Sequence, residues 1–425
     1  MRRAVLYAYM ATKTLGDEEA LAFQRQVERV VLRLRESFAD IMGAIPGRAG
    51  KPHEVAQALG VEKQLVWKIA RLLKTHDPFA ATRHLPGPTG IRTFVEAAAR
   101  NQVPATLLDA LSNALAQLNE LISVHAGDRA SFDIMLSHCA RRGRQNSDWE
   151  HRREAFRGNS YIWGVQARTK LTTMFFHPSS EPGVLDGVVA CSLIELRRLR
   201  PNVPWVITRS LFCDNDGEVR NPSPSEWLDP PESRPTDGPG VPLLRSFCSP
   251  RLPTIRGVPG PPGTLEYEIV GGPIGNTGAV TCCWGEILRR VGSCYRDEHN
   301  RYAEVNAAVY TPCEHLVLDQ IVHEDIYGPI KPELLVYSEL AVGEQYPRGR
   351  ANRLMLPASE SVEYLGKGPA VLQTPHVPRY GELARYIFDR TGWDGQRFDV
   401  YRVEMRYPPM PATVVMRHEL LEQPS

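Results

Sequence analysis

The 425-residue sequence has no Cys-x-x-Cys pair, no excess of either charge and no long apolar run, and each absence removes a class of protein. Its eight cysteines, Cys139, Cys191, Cys213, Cys248, Cys282, Cys283, Cys294 and Cys313, are scattered, so neither a zinc ribbon nor a thioredoxin-like centre is signalled. Free buried thiols in a reducing compartment are expected. Lys and Arg number 50 against 49 Asp and Glu, a net charge of +1 that exerts no global pull toward nucleic acid or anionic membrane. Any contact with nucleic acid must therefore come from a local basic face. No stretch approaches the roughly 18 continuous apolar residues of a membrane span. The opening MRRAVLYAYMATK has the arginines and short apolar run of a signal peptide, but it meets Lys13 before a cleavage site; it reads as a strand or an ordered arm of a cytoplasmic chain.

Catalytic signatures are missing too. There is no GxSxG elbow and no HExxH pair. GGPIGNTG, 271–278, lacks the P-loop lysine and the GxGxxG spacing, and reads as a turn between strands. The sequence gives no reason to assign catalytic residues, a metal or a cofactor.

What is present divides at about residue 165, an α+β organisation. Residues 1–165 carry helical periodicity. Val27, Val31, Leu34, Phe38 and Ile41 recur at spacing 4-3-4-3 and draw one stripe down a long helix beginning near Gly16. Asp17, Glu18 and Glu19 would sit in its first turn, complementing the dipole, and Gly47 and Gly50 would end it. The stripe suits packing within its own domain, with a two-helix seam in a homodimer as the alternative. HDPFAATRHLPGPTG is too rich in Pro and Gly to continue a helix. Ile91, Phe94, Val95 and Ala98 then mark one helix, and Leu107, Leu111, Leu115, Leu118 and Ile122 another opened by Pro104. Asp128 is placed to cap a third, through Arg142.

From residue 166 the period changes to 2. KLTTMFF, VVACSLIEL, VPWVITRSLF, TLEYEIV, AVTCCW, AEVNAAVY, HLVLDQIV, ELLVYSEL and FDVYRVEMRY are short β-branched and aromatic runs, with RYGELARYIFDR (379–390) the main helical exception. Residues 166–425 are thus a β-rich domain, a sandwich or an antiparallel α+β sheet. Twelve prolines between Pro222 and Pro262 mark a Pro/Gly-rich stretch at about 214–265, either a linker or a surface insertion, with an insertion within the one domain favoured.

The most informative segment is PHEVAQALGVEKQLVWKIAR, 52–71. Ala56 is small where a second helix would cross the first, and four residues later Gly60 tolerates φ > 0 at the turn. Val55, Leu59, Val61, Val66 and Ile69 fall where apolar residues must close the interhelical angle. Glu62, Lys63, Gln64, Trp67, Lys68 and Arg71 occupy the remaining faces. The segment resembles the helix-turn-helix of bacterial transcription regulators, over these 20 residues alone.

That resemblance implies double-stranded DNA as partner and the second helix, Glu62 to Leu73, in a major groove. Lys63, Gln64 and Lys68 would face base edges; Arg71, Lys74 and Lys51 would face phosphates. Trp67 would stack on a sugar or base methyl or cover another helix of its own domain, the second being favoured. The β-rich half would sense an unidentified effector or oligomerise, by analogy with regulators and without a membrane role. Two other readings remain open: an assembly or scaffold protein that binds no DNA, and a hydrolase-like enzyme with its site in the β-rich half.

Other clusters have simpler accounts. The basic run 141–157, with Arg141, Arg142, Arg144, Arg152, Arg153 and Arg157, could track phosphates, but Asp148, Glu150 and Glu154 make a solvated helix face with local ion pairs the better account. HAGDR, 125–129, is explained by the Asp128 cap. In TPCEHLVLDQIVHEDIY, 311–327, Cys313, His315 and His323 share strand parity and Glu324 could act as a base, yet the two histidines would lie roughly 26 Å apart on an extended strand.

Overall fold

The stripe that begins at Val27 forms one side of a long helix, α1. In the computed structural model, which describes residues 2–45, 51–139, 144–211, 226–229, 241–260, 264–298, 301–339 and 355–423, α1 spans Arg2–Ala44. The opening residues, expected as a strand or arm, continue this helix instead. Ala, Leu, Met, Lys and Arg are strong helix formers, and a single Gly16 costs only about 1 kcal/mol in the interior. Asp17, Glu18 and Glu19 are consequently interior to α1, and its first turn holds no acid. Gly47 and Gly50, expected to end it, lie outside the described residues.

The chain divides into two compact units, Met1–Asp148 and Trp149–Ser425. The first is helical: α2 Pro52–Leu59, α3 Lys63–Lys74, α4 Pro78–Ala81, α5 Pro88–Arg100, α6 Ala105–His125 and α7 Arg129–Cys139. The Pro-rich segment after α3 is more helical than its composition indicated. Pro78 supplies a first-turn residue that needs no N–H, and the Asp77 carboxylate accepts from the Phe79 and Ala80 amides. Asp128 caps α7, accepting from the Ser131 amide at 2.9 Å. The core joins Val27, Val31, Leu34, Phe38 and Ile41 of α1 to Val66, Ile69 and Leu72 of α3, Phe94 of α5, Leu111 of α6 and Phe132 of α7. The α1 stripe is thus spent on the chain's own core. Helix α8, Arg144–Trp163, crosses the division between the units, and β1 begins just beyond its end.

The second unit contains β1 Val165–Pro178, β2 Val184–Arg198, β3 Trp205–Leu211, β4 Glu226–Trp227, β5 Thr254–Pro259, β6 Thr264–Val270, β7 Val280–Ser293, β8 Tyr302–Val309, β9 Cys313–His323, β10 Glu333–Ser338, β11 Glu363–Lys367, β12 Phe398–Arg406 and β13 Ala412–Glu419. Among the described residues it also holds the helices α9 Glu324–Tyr327 and α10 Tyr380–Thr391, besides most of α8. A seven-stranded sheet has the order β11-β12-β9-β1-β2-β7-β4, antiparallel except for the parallel pair β1/β9, in register Thr169 to His315. Among the described residues there are also two three-stranded sheets, β10-β13-β8 and β3-β6-β5.

The central strands are covered on both faces. Leu171, Phe175, Val317, Ile321 and Val400 pack with Leu383, Ala384, Ile387 and Phe388 of α10. On the other face Leu316, Leu318, Val403 and Met405 pack with Val305, Ala307, Val336, Val414 and Met416 of the β10-β13-β8 sheet. That double burial is why HLVLDQIV reads as a nearly continuous apolar run.

The Pro/Gly-rich stretch is not wholly a surface excursion. Residues 212–225, 230–240 and 261–263 lie outside the described residues, but Val241, Leu243 and Leu244 are buried and β4 pairs with β7. β5 is an edge strand, where Pro259 loses no ladder bond that the sheet needs.

Gly60 sits at φ 64° and ψ 36° with nothing within 4 Å of where a Cβ would stand, so a substitution there is penalised by backbone conformation alone. Gly60→Val should lose about 2 kcal/mol or more, whereas Gly60→Asn, which tolerates the left-handed region, should lose less. Ala56, fully buried at the helix crossing, should cost roughly 1–3 kcal/mol as Ala56→Leu through overpacking. Hydrogen exchange of the amides of residues 55–72 in the intact chain checks all three. Unchanged protection in Gly60→Val would remove the backbone argument.

Candidate nucleic-acid interface

α2 ends because Gly60 turns left-handed. Its N–H reaches the carbonyls of Ala56 and Gln57, and the Val61 N–H donates to the Ala56 carbonyl at 3.0 Å. Two further residues carry the chain into α3, whose N-cap Glu62 is extended. Val55, Ala56 and Leu59 of α2 and Val66, Ile69, Ala70 and Leu72 of α3 are buried. At the far end of α3 the Arg35 guanidinium donates to the Leu73 carbonyl at 2.6 Å, placing a cation at the negative end of the helix dipole. The helix is therefore held at its start by a turn, along its length by the core and at its end by α1.

The opposite face of α3 points to solvent. Lys63, Gln64, Trp67, Lys68, Arg71 and Lys74 are all exposed, as is Lys51 before α2. α3 carries four cations and no acid. Among the described residues none of Lys51, Lys63, Lys68, Arg71 and Lys74 forms an ion pair; within this unit the pair formed is Arg129–Asp133. His84 feels the same field. Burial first, and then the charges of Arg71 and Arg83, lower its pKa. Trp67, expected to cover a neighbouring helix, stands 50% exposed. The apolar demand of the core is already met by Val66, Ile69 and Leu72, which leaves the indole on the outer arc.

The basic run divides differently from the expectation. Arg141 and Arg142 lie outside the described residues, and nothing is described of the Arg144 side chain. Arg152 is paired not with a local acid but with Glu360, at 2.6 Å and partly buried. Arg153 and Arg157 are exposed on α8.

In the β-rich unit β9 is one extended strand with His315 and His323 near its opposite ends. His315 stacks on His376, ring centroids 3.7 Å apart, while His323 meets His177 and Phe398. Among the described residues no group of three or more His, Cys, Asp or Glu is placed to hold a metal. The seven described cysteines are free, and burial pushes the Cys282 and Cys313 thiols up to about 12, away from reactivity.

One polar constellation was not anticipated from the sequence. Asp319, fully buried on β9, receives Nε and Nη2 of Arg402 from β12 at 2.8 and 2.7 Å, and the Tyr380 hydroxyl donates to it at 2.6 Å. Tyr380 also meets Thr173 Oγ1 at 3.0 Å, and the third guanidinium nitrogen donates to the Gln373 carbonyl. The set links β9, β12 and α10 through one buried, paired charge. The available signal was an Asp and an Arg inside otherwise apolar strand runs, since a buried charge must be paired. Tyr380 also lines a cavity of about 220 Å³, together with Ile194, Phe247, Cys248, Arg379 and Leu383. Neither His315 nor His323 lines it.

No family model, curated protein or solved structure matches this chain.

His418 is buried on β13, its Nδ1 at 3.4 Å from Gln320 Nε2, and burial lowers its pKa to about 4. His315 is lowered to about 4 as well, by burial first and then by the charges of His376 and Arg406. Both fall below the unfolded value near 6.5, so the unfolded chain takes up the proton first. Their contribution is complete above about pH 6.5 and is lost as pH falls toward 4, by at most about 3 kcal/mol for His418. Urea titrations at pH 7 and 4.5 should show a smaller acid loss for His418→Leu than for wild type. Equal losses would mean that His418 is not a source of the acid sensitivity.

Proposed function

We propose that the chain is a cytoplasmic, sequence-specific DNA-binding protein of the transcription-regulator kind, which docks α3 in a major groove. The observation that carries this reading is the outer face of α3: Lys63, Gln64, Lys68, Arg71 and Lys74, all exposed and, among the described residues, without ion pairs. A helix held rigidly by its other face, with its cations turned outward, is what a duplex with a charged backbone selects. An assembly role would favour covering Lys63, Gln64 and Lys68 with another helix, and in the chain they are uncovered. No described helix is long and apolar enough to cross a membrane. The β-rich unit is then the sensing or oligomerisation unit, and the cavity beside Tyr380 supplies a place for a small effector.

The N-terminal part of α3 would lie deepest. Lys63→Ala, Gln64→Ala and Lys68→Ala should each weaken binding to the preferred sequence by roughly 1–3 kcal/mol. Arg71→Ala, Lys74→Ala and Lys51→Ala should weaken binding to all sequences alike, each reducing the salt slope by about one unit. None should alter folding much, because the side chains are exposed. Selection from fragmented genomic DNA followed by titrations at two salt concentrations makes the measurement. Wild-type protein without affinity for duplex DNA at low salt would overturn the proposal, and a change of mass in light scattering on these substitutions would point to assembly instead.

A further inference from the structure

We infer that Trp67 reads the C5-methyl group of a thymine on the floor of the major groove, an inference that rests on the DNA-binding reading of α3. Successive residues of an α-helix advance by about 100° around its axis. On that spacing the exposed arc of α3 covers about 140°, from Lys63 and Lys74 at one edge to Lys68 at the other, with Trp67, Arg71 and Gln64 between them. When a helix lies in a groove, its outer arc faces the base edges, and the residues nearest its N-terminus reach deepest. Trp67 lies inside this arc, about 30° from its middle, and it belongs to the first half of α3, the half that enters deepest.

The indole is also uncommitted. It is 50% exposed, and among the described residues its ring makes no aromatic or cation contact and its Nε1 no hydrogen bond. Lys63 precedes it by one turn and Arg71 follows it by one turn, so an apolar surface stands between cations. A protein partner with an apolar pocket would have to accept those cations as well; a duplex supplies the complementary charge directly.

The chemistry of the groove floor then narrows the target. G, C and A present only hydrogen-bonding groups there, whereas T adds a methyl group. An indole laid over the other bases would desolvate donors and acceptors without satisfying most of them. Over a thymine methyl it buries apolar surface on both sides.

The test uses the intact protein. Its preferred duplex is selected from a random library, and each thymine in the protected window is replaced singly by deoxyuridine, which keeps O4 and loses only the methyl. One position, or one per half-site, should weaken wild type by roughly fourfold, the equivalent of one buried methyl group. Trp67→Ala should show no loss at that same position, and its own selected site should no longer require thymine there. If wild type binds its duplex but no deoxyuridine effect depends on Trp67, or if the window holds no thymine, this inference fails while DNA binding stands. No duplex binding at low salt removes both. An altered mass for Trp67→Ala in light scattering, with DNA affinity unchanged, would assign the indole to a protein contact and overturn the inference.

Discussion

Burial of one face of α1 is the constraint on which the N-terminal unit depends. Val27, Val31, Leu34, Phe38 and Ile41 are at most 2% exposed, and α3, α4 and α6 pack on α1. Each such side chain contributes about 1.5–3 kcal/mol relative to exposure. On α3 the three apolar side chains Val66, Ile69 and Leu72 together outweigh what one indole would gain by turning inward, so the helix presents them to the core and leaves Trp67 half exposed. The basic arc is therefore a consequence of packing: the apolar positions choose the rotation of α3, and its cations face solvent because the opposite side is taken.

The β-rich unit answers a different problem. Its central strands are covered on both faces, which leaves no solvent for a charged residue at positions 319 and 402. The two charges resolve this by meeting in a bidentate pair roofed by the Tyr380 hydroxyl. Such a pair adds little net stability over an apolar pair of the same size, but loss of one partner strands a charge at a cost of roughly 3–5 kcal/mol. Its effect is to specify register. Asp319 stands opposite Arg402 in the β9/β12 ladder, and a one-residue slip would turn either side chain to the other face.

Local signals were legible where one physical term dominates. Pro104 and the leucines after it give α6, Asp128 gives the α7 cap, and RYGELARYIFDR gives α10. The apolar runs give most strands. β13 escaped because its fully buried residues lack the alternation of a half-exposed strand, and Pro409 and Pro411 just before it suggest a turn. The short apolar run in MRRAVLYAY was misleading in the opposite sense: it reads as a strand or an arm, and helix propensity prevailed. In the candidate site, Gly60, Ala56 and the apolar offsets were readable because spacing alone sets them. The exposure of Trp67 was not, because it depends on which neighbours had already filled the core.

The sequence by itself determined that α2 must stop at Gly60, that α3 carries four cations and no acid, and that the chain changes from helical to β periodicity near residue 165. These follow from backbone freedom, charge and the two side-chain periods, all properties of neighbouring residues. Only the tertiary structure decided that the α1 stripe is internal, that Asp319 finds Arg402 across 83 residues of chain, and that Trp67 is left facing water. Those outcomes depend on competition for a finite buried volume, and no local pattern encodes which side chain wins it.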